Sequence, residues 1–577
     1  MDFWPALRRS ARGPGKVCRS GSRLPIDKRG GNGFDHDMTS EKRIWGTLDP
    51  FYEGGPVLGR TVANSRFLIE LLRRDPFDEY HFFLPGKWAA DPLRKHLEKT
   101  APALLEQNRV RLLRRSDLAG MLGRVSYYCF HLSDCITCQP FVSRMRNRLS
   151  AELFPVTGPI HSLSYAHFTR SFLQHLWPGT TRRDAIVCTS TAGRRAVEGF
   201  FDQLRRGFGL GEDTHPAPRL ARIPLGVNVT AYRPCERSGA LPVKILAFGR
   251  ISHHSKMDLV PLIRALHRLV RDGMDPASVE LILAGWGDKD NQTLETLENL
   301  AANTGIRLTT VLRPNEPRKH KLFSEADILV SVADNPQETF GITLVEAGAF
   351  GLPVVASDYD GYKDIVVHGE TGLLVPTIGP ATTPEIDLEA PLTFDSHYHL
   401  RLAQATAVEI PALADALGRL IRDPELRRTM GAAARRRVET EFSWPGIIDA
   451  HLALWEELWR EPADPEPLRD VPHPLAPEYG ALFGHYTSRV LEDGTLLKAG
   501  RTGQAFYRNK DFPNLYEGIR YAIDLDVVRK LVFFARSAVD SATLIRKVSS
   551  IARHLNNTEI ENHVLWALKQ DILERTE

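Results

Sequence analysis

The stretch ETFGITLVE, Glu338 to Glu346, sets two carboxylates eight positions apart around a Phe-Gly turn. Just upstream, SEADILVSVADN (Ser324 to Asn335) is an apolar strand that breaks into Asp and Asn. Just downstream, AGAFGLPVVASD (Ala347 to Asp358) gives a small-residue helix end, a Gly-Leu-Pro break and a second apolar strand. The pattern predicts strand, loop, helix, strand, with the carboxylates where a parallel sheet presents its ligand. Glu338 falls in the loop, and Thr339 to Thr343 open the helix. The unpaired N–H groups and positive dipole end there suit a phosphate. Glu346 falls in the early turns and can face the same crevice. Acids at a helix start also arise because the dipole favours them, so the pair alone does not define a site.

A second element lies about ninety residues earlier. KILAFGRISHHSKMD (Lys244 to Asp258) runs a strand into Gly249-Arg250 and then reaches Lys256. Arg250 is a planar fork and Lys256 a mobile point charge, and together they could clamp a diphosphate. Read in isolation, they are equally a solvated surface pair. Both elements belong to one alternating strand–helix block.

FGRISHHSK, ILAGWGD (Ile282 to Asp288), ETFGITLVEAGAFGLPVVASD and HGETGLLVP (His368 to Pro376) follow one another in this order and spacing. Together they resemble the nucleotide-binding half of retaining GT-B glycosyltransferases, family 4 (group 1). The likeness extends more weakly from about Arg43 to Pro462. The resemblance implies an α/β fold with two Rossmann-like domains facing a cleft. It implies that Glu338 holds sugar hydroxyls, Glu346 holds the nucleotide ribose, and Arg250 and Lys256 neutralise the diphosphate. Backbone amides around Phe340, Gly341, Ile342 and Thr343 would meet sugar and phosphate oxygens. Gly54 and Gly55, at the first strand-to-helix turn, would face donor phosphate and acceptor. His161, near the end of a strand in ELFPVTGPIHSLSY (Glu152 to Tyr165), would contact the transferred sugar. The donor would be a nucleoside-diphosphate sugar, transferred with retention. No Asp-x-Asp element stands at a strand end, so neither a metal nor another cofactor is expected. A phosphorylase or sugar-phosphate synthase on the same fold, and a non-catalytic nucleotide-sugar-binding scaffold, are the competing readings.

With 577 residues the chain exceeds one core and should divide into about three or four units. Its 42% hydrophobic and 25% charged residues are ordinary for a globular protein, and a net charge of +3 gives no case for nucleic acid. No apolar run approaches the ~18 residues of a membrane span, and no charged-then-apolar leader is visible. Six cysteines include the CxxC of Cys135 and Cys138, with Cys129 and His131 nearby. A zinc site would need a second such pair, so reduced thiols in a cytoplasmic protein are expected.

The expected organisation follows from these signals. Residues 1–40 are a basic, Gly- and Ser-rich leader without apolar period, expected to be disordered. Met38 is an alternative start, and an organelle-type leader is the other reading of this stretch. Residues 41–238 form the amino-terminal Rossmann-like acceptor domain, ending in a strand at RIPLGVN (Arg222 to Asn228). Its first helix places Phe67, Leu68, Leu71 and Leu72 on one face. Residues 239–439 form the nucleotide-sugar domain, and a helix over 444–460 crosses back onto the first domain. Within the second domain a polar stretch, 377–409, is either a lid or an insertion. A proline-dense linker over 461–478 leads to a small, mostly helical accessory domain, 479–577. Its last helix carries Ile560, Val564, Leu565 and Leu568 at helical spacing, with Thr558 and Glu561 as a capping box. That domain could dock a protein partner or present the acceptor. The acceptor itself (glycan, lipid-linked sugar or small molecule) and any peripheral membrane contact stay open.

Overall fold

The computed structural model describes residues 42–52, 59–234, 239, 241–287, 292–520 and 522–576. The expected leader, 1–40, lies outside them.

Seven short apolar segments form the first sheet: β1 (Ile44–Thr47), β2 (Glu79–Leu84), β3 (Val110–Arg114), β4 (Cys129–His131), β5 (Val156–Pro159), β6 (Asp184–Cys188) and β7 (Arg219–Arg222). All neighbours are parallel, in the order β3-β2-β1-β4-β5-β6-β7. Every residue of β1, β2 and β6 is buried, as expected of strands covered by helices on both faces. The helix Gly59–Arg74 turns Phe67, Leu68, Leu71 and Leu72 into this core. The expected strand at RIPLGVN is displaced. β7 ends at Arg222, and Pro224 has no N–H to continue a ladder. Val227 instead bridges to Ser443 beyond the second domain.

The second sheet repeats the design with β8 (Val243–Arg250), β9 (Val279–Trp286), β10 (Arg307–Leu312), β11 (Ile328–Ser331), β12 (Val354–Ser357) and β13 (Gly372–Val375). It is parallel in the order β10-β9-β8-β11-β12-β13. In both sheets the winding reverses beside the first strand, between β1 and β4 and between β8 and β11. That reversal leaves a crevice at the carboxyl ends of those strands. Loops from the two sets of carboxyl ends meet: Ser162 Oγ, beyond β5, donates to Gln337 O, beyond β11, at 3.0 Å. The domains therefore face each other across a cleft in the GT-B arrangement.

The helix Trp444–Arg460 follows the second domain in sequence yet packs in the first. Ile447, Ile448, Trp455 and Leu458 join the same core as Phe67 and Leu68. Trp455 Nε1 donates to Thr157 Oγ1 at 3.0 Å, and Trp459 Nε1 to Tyr128 O at 2.7 Å. The polar stretch 377–409 is a folded excursion. A short antiparallel ladder of β14 (Thr377–Ile378) and β15 (Ala407–Val408) closes its base, below helices Pro384–Thr393 and Ser396–Gln404.

Residues from Pro472 onward form a separate compact unit. Its core, including Val527, Leu531, Leu544, Val548, Ile560 and Val564, is mostly helical. It also holds a three-stranded antiparallel sheet that periodicity did not predict: β16 (Leu496–Ala499), β17 (Val539–Asp540) and β18 (Leu573–Arg575). Strands of two to four residues are too short to show a period. The last helix, Asn557–Lys569, is capped by Asn556 with Glu559, not by Thr558 with Glu561. On this helix Leu565 is 44% exposed, and His563 is turned inward.

Candidate active site

The cation loop begins where β8 and β9 end side by side. Gly249 lies opposite Gly285, which has φ 141°. A Cβ at Gly285 would stand 1.6 Å from the Gly249 carbonyl oxygen, so only glycine permits this approach. Arg250 Nη2 donates to Ser255 O at 3.0 Å, and Lys256 N to Ser252 O at 3.0 Å. These bonds fold residues 251–256 into a tight turn that aims the Lys256 ammonium at the Glu338 carboxylate, with which it pairs directly.

The acid loop is tied to the cation loop by its own polar groups. Asn335 Nδ2 donates to His254 O at 2.9 Å, and Asp258 N to the Asp334 carboxylate at 3.3 Å. Asn335 also accepts from Gln337 N and Glu338 N, which fixes the approach to Glu338. Glu338 Oε1 accepts from the amides of Thr339 at 3.3 Å and Phe340 at 3.4 Å. Burial alone would raise the Glu338 pKa, but the Lys256 charge and these amides hold it below the ordinary value. Burial likewise opposes the Lys256 charge, and Glu338 outweighs it, holding the ammonium pKa above its usual range.

Gly341 caps the helix Ile342–Ala349 in the left-handed region, φ 102°. A Cβ there would stand 2.4 Å from the Tyr362 ring. Phe340 is buried, and at the helix opening Thr343 Oγ1 is buried without a hydrogen-bond partner. Two more buried acids follow β11 and β12, and Asp360 lies within reach of the pair's charges. Burial pushes Asp334 up to about 7; burial and then the charge of Glu338 push Asp360 up to about 8. Burial also lifts Tyr362, facing Lys256, to about 12.

Glu346 is not joined to Lys256. It is 2% exposed, and its Oε1 meets Lys319 Nζ at 2.6 Å, Tyr232 OH at 3.1 Å and Arg66 Nη1 at 3.5 Å. These partners come from the helix Glu316–Glu325, the segment after β7 and the first domain's helix Gly59–Arg74. A cavity of about 260 Å³ lies beside them, lined in part by Arg66, Arg73, Tyr232, Glu316 and His320. His161 Nε2 contacts Ser133 O at 2.8 Å beyond β4. The neighbour of His161, Ser162, bonds the neighbour of Glu338, Gln337, so their two loops touch. Gly54 and Gly55 lie outside the described residues.

Asp334, Asp360, Tyr362, Gln337, Lys319, Tyr232 and Arg66 did not stand out in the sequence. Asp334 and Asp360 carried a usable signal, because each follows an apolar strand of the second sheet. The others become site neighbours only through tertiary packing. Among the described residues no group of three or more His, Cys, Asp or Glu could hold a metal ion. No described helix is long and apolar enough to cross a membrane.

The fold, with cations and acids clustered at the β8/β11 switch point, is that of a GT-B protein. Residues 237–380 match the family model described as glycosyl transferases group 1. The matched stretch contains all six strands of the second sheet. A 268-residue stretch is 32% identical to the D-inositol 3-phosphate glycosyltransferase of Nocardia farcinica, covering 44% of this chain and 51% of that one. The chain thus spans about half the length of that relative. The alpha-maltose-1-phosphate synthase of Mycolicibacterium smegmatis is 28% identical over 304 residues, 49% of this chain and 70% of its own. The crystal structure of Anabaena HepE in complex with UDP aligns with 72% of this chain and 100% of its own, at 16% identity and a TM-score of 0.48.

Proposed function

We propose that the protein is a retaining glycosyltransferase that uses a nucleoside-diphosphate sugar. The observation that carries this reading is the pairing of Lys256 with Glu338 between two loops at the switch point, with Arg250 at the start of the first. In the reaction the anomeric C–O bond breaks and its electron pair leaves with the β-phosphate oxygen. The acceptor oxygen bonds the anomeric carbon on the same face, and its proton passes to the departing phosphate. Arg250 and Lys256 meet the growing negative charge, together with the helix amides at Gly341 to Thr343. One such donor typically contributes about 3 kcal/mol to the transition state. Glu338 and His161 orient the sugar, where positioning supplies much of the rate. Glu346 holds the ribose through Oε2, since Lys319, Tyr232 and Arg66 all engage its Oε1. With these cations facing the leaving group, the reaction requires no divalent metal and no further cofactor. We place it in the cytoplasm, where free thiols such as Cys129, Cys135 and Cys188 stay reduced.

A thermal-shift screen against UDP-, GDP- and ADP-sugars tests the reading, since a ligand at 100 times its dissociation constant adds about 2.7 kcal/mol of stability. A shift with one base, lost in Arg250→Ala, is expected. No shift with any base would reject a nucleotide-sugar donor. The relationship to a maltose-1-phosphate synthase gives one specific alternative acceptor, a sugar phosphate. Product analysis with sugar phosphates and neutral sugars separates the two acceptor classes.

A further inference from the structure

The folded excursion 377–409 is absorbed neither by the sheet nor by the charge clusters, yet it touches three walls of the cleft. Its two helices are held together internally. Asp395 caps the second by accepting His397 N at 2.7 Å, Arg401 pairs with Glu389, and Phe394 stacks on Tyr398 at 5.5 Å. From this base His399 projects inward and is 0% exposed. Gln337 Nε2 donates to His399 Nδ1 at 2.6 Å, so the neutral ring carries its proton on Nε2 and donates to Ser164 Oγ at 2.8 Å. Burial favours that neutral form. Tyr165 meets the His399 ring edge-on at 5.0 Å and Phe394 at 5.9 Å. Gln404 Nε2 reaches Asp258 Oδ2, at the end of the cation loop, at 3.2 Å.

We propose that residues 377–409 form a strap across the cleft, in which His399 is a positioning residue joining the His161 loop to the Glu338 loop. The two hydrogen bonds of one imidazole reach Ser164, three residues beyond His161, and Gln337, one residue before Glu338. The ring therefore acts with the direct Ser162–Gln337 bond to fix the separation of the two side chains that orient the sugar. It also covers that side of the cleft against water. This role rests on the transferase reading given above. The consequence is specific: losing His399 loosens both loops together and lets water compete with the acceptor. Nucleotide affinity changes little, because His399 bonds neither Arg250, Lys256 nor Glu346.

The experiment compares His399→Ala, His399→Gln and Ser164→Ala with the native full-length chain. Amide hydrogen exchange without ligand is expected to speed about tenfold in both 161–168 and 334–341 for His399→Ala, with the rest of the second domain unchanged. With donor and acceptor, the ratio of transfer to donor hydrolysis should fall about tenfold, with nucleotide affinity held within about threefold. His399→Gln, whose amide can still donate to Ser164, should recover part of both effects. Native exchange in both loops of a folded His399→Ala protein would overturn the strap. Should that variant not fold, Ser164→Ala decides, and native exchange in its 334–341 segment gives the same refutation. Absence of nucleotide binding by the native protein would reject the transferase reading alone, because the exchange measurement needs no ligand.

Discussion

Replacing Lys256 by Ala removes one member of a buried ion pair, and its effect can be worked from the geometry. Both side chains are only 14% exposed. Breaking a buried pair typically destabilises by about 3–5 kcal/mol, because the remaining charge has lost its partner. Here Glu338 keeps the amides of Thr339 and Phe340 and some contact with water, so the cost falls at or just below the bottom of that range, about 2–3 kcal/mol. Glu338 also loses the charge that depresses its pKa, so burial pushes its titration upward in the variant. The transition state loses one phosphate-facing cation, about 3 kcal/mol or roughly 100-fold in transfer. Urea unfolding gives the first quantity, and nucleotide release with saturating donor gives the second. Adding Glu338→Gln to the variant should recover about 1–2 kcal/mol of stability, since no uncompensated charge remains, without restoring transfer. A Lys256→Ala protein within about 0.5 kcal/mol and threefold of native on both measurements would refute the reasoning.

Asp334 gives a pH-dependence of opposite sign to an ordinary salt-bridged acid. Its folded pKa of about 7 lies above the unfolded value, so its contribution to stability is fully present below about pH 4 and is lost as pH rises from there through 7. The shift is worth about 4 kcal/mol, and Asp334→Asn should flatten this part of the unfolding profile; an unchanged profile would show that another group titrates there. Trp455→Ala should destabilise by about 3–5 kcal/mol, because the indole is wholly buried and also donates to Thr157. A loss below about 1 kcal/mol, measured by urea unfolding, would mean the crossing helix is not integral to the first core. Chelation by EDTA should leave the transfer rate unchanged, and loss of activity restored by added magnesium would overturn the metal-independent route.

The alternation of short apolar runs with amphipathic helices was enough to read two parallel α/β halves from the sequence. Gly341 declared its Phe-Gly turn locally, because the positive φ it adopts is available to few other residues. The placement of Arg250, Lys256 and Glu338 beside carboxyl ends of parallel strands, where such sheets bind ligands, was also legible. What tertiary structure alone decided is which charges meet. Lys256 and Glu338 stand 82 positions apart and pair because two loops fold against each other. Glu346 shares its helix with the Glu338 turn, yet it faces Lys319, Tyr232 and Arg66 through packing that no local pattern encodes. His399 looked like one more polar residue in a long loop, and only burial between two domains gives its ring two fixed partners. Periodicity reports the face that each element turns to the core. Contacts between remote loops depend on the three-dimensional closure of the chain, which no window of sequence contains.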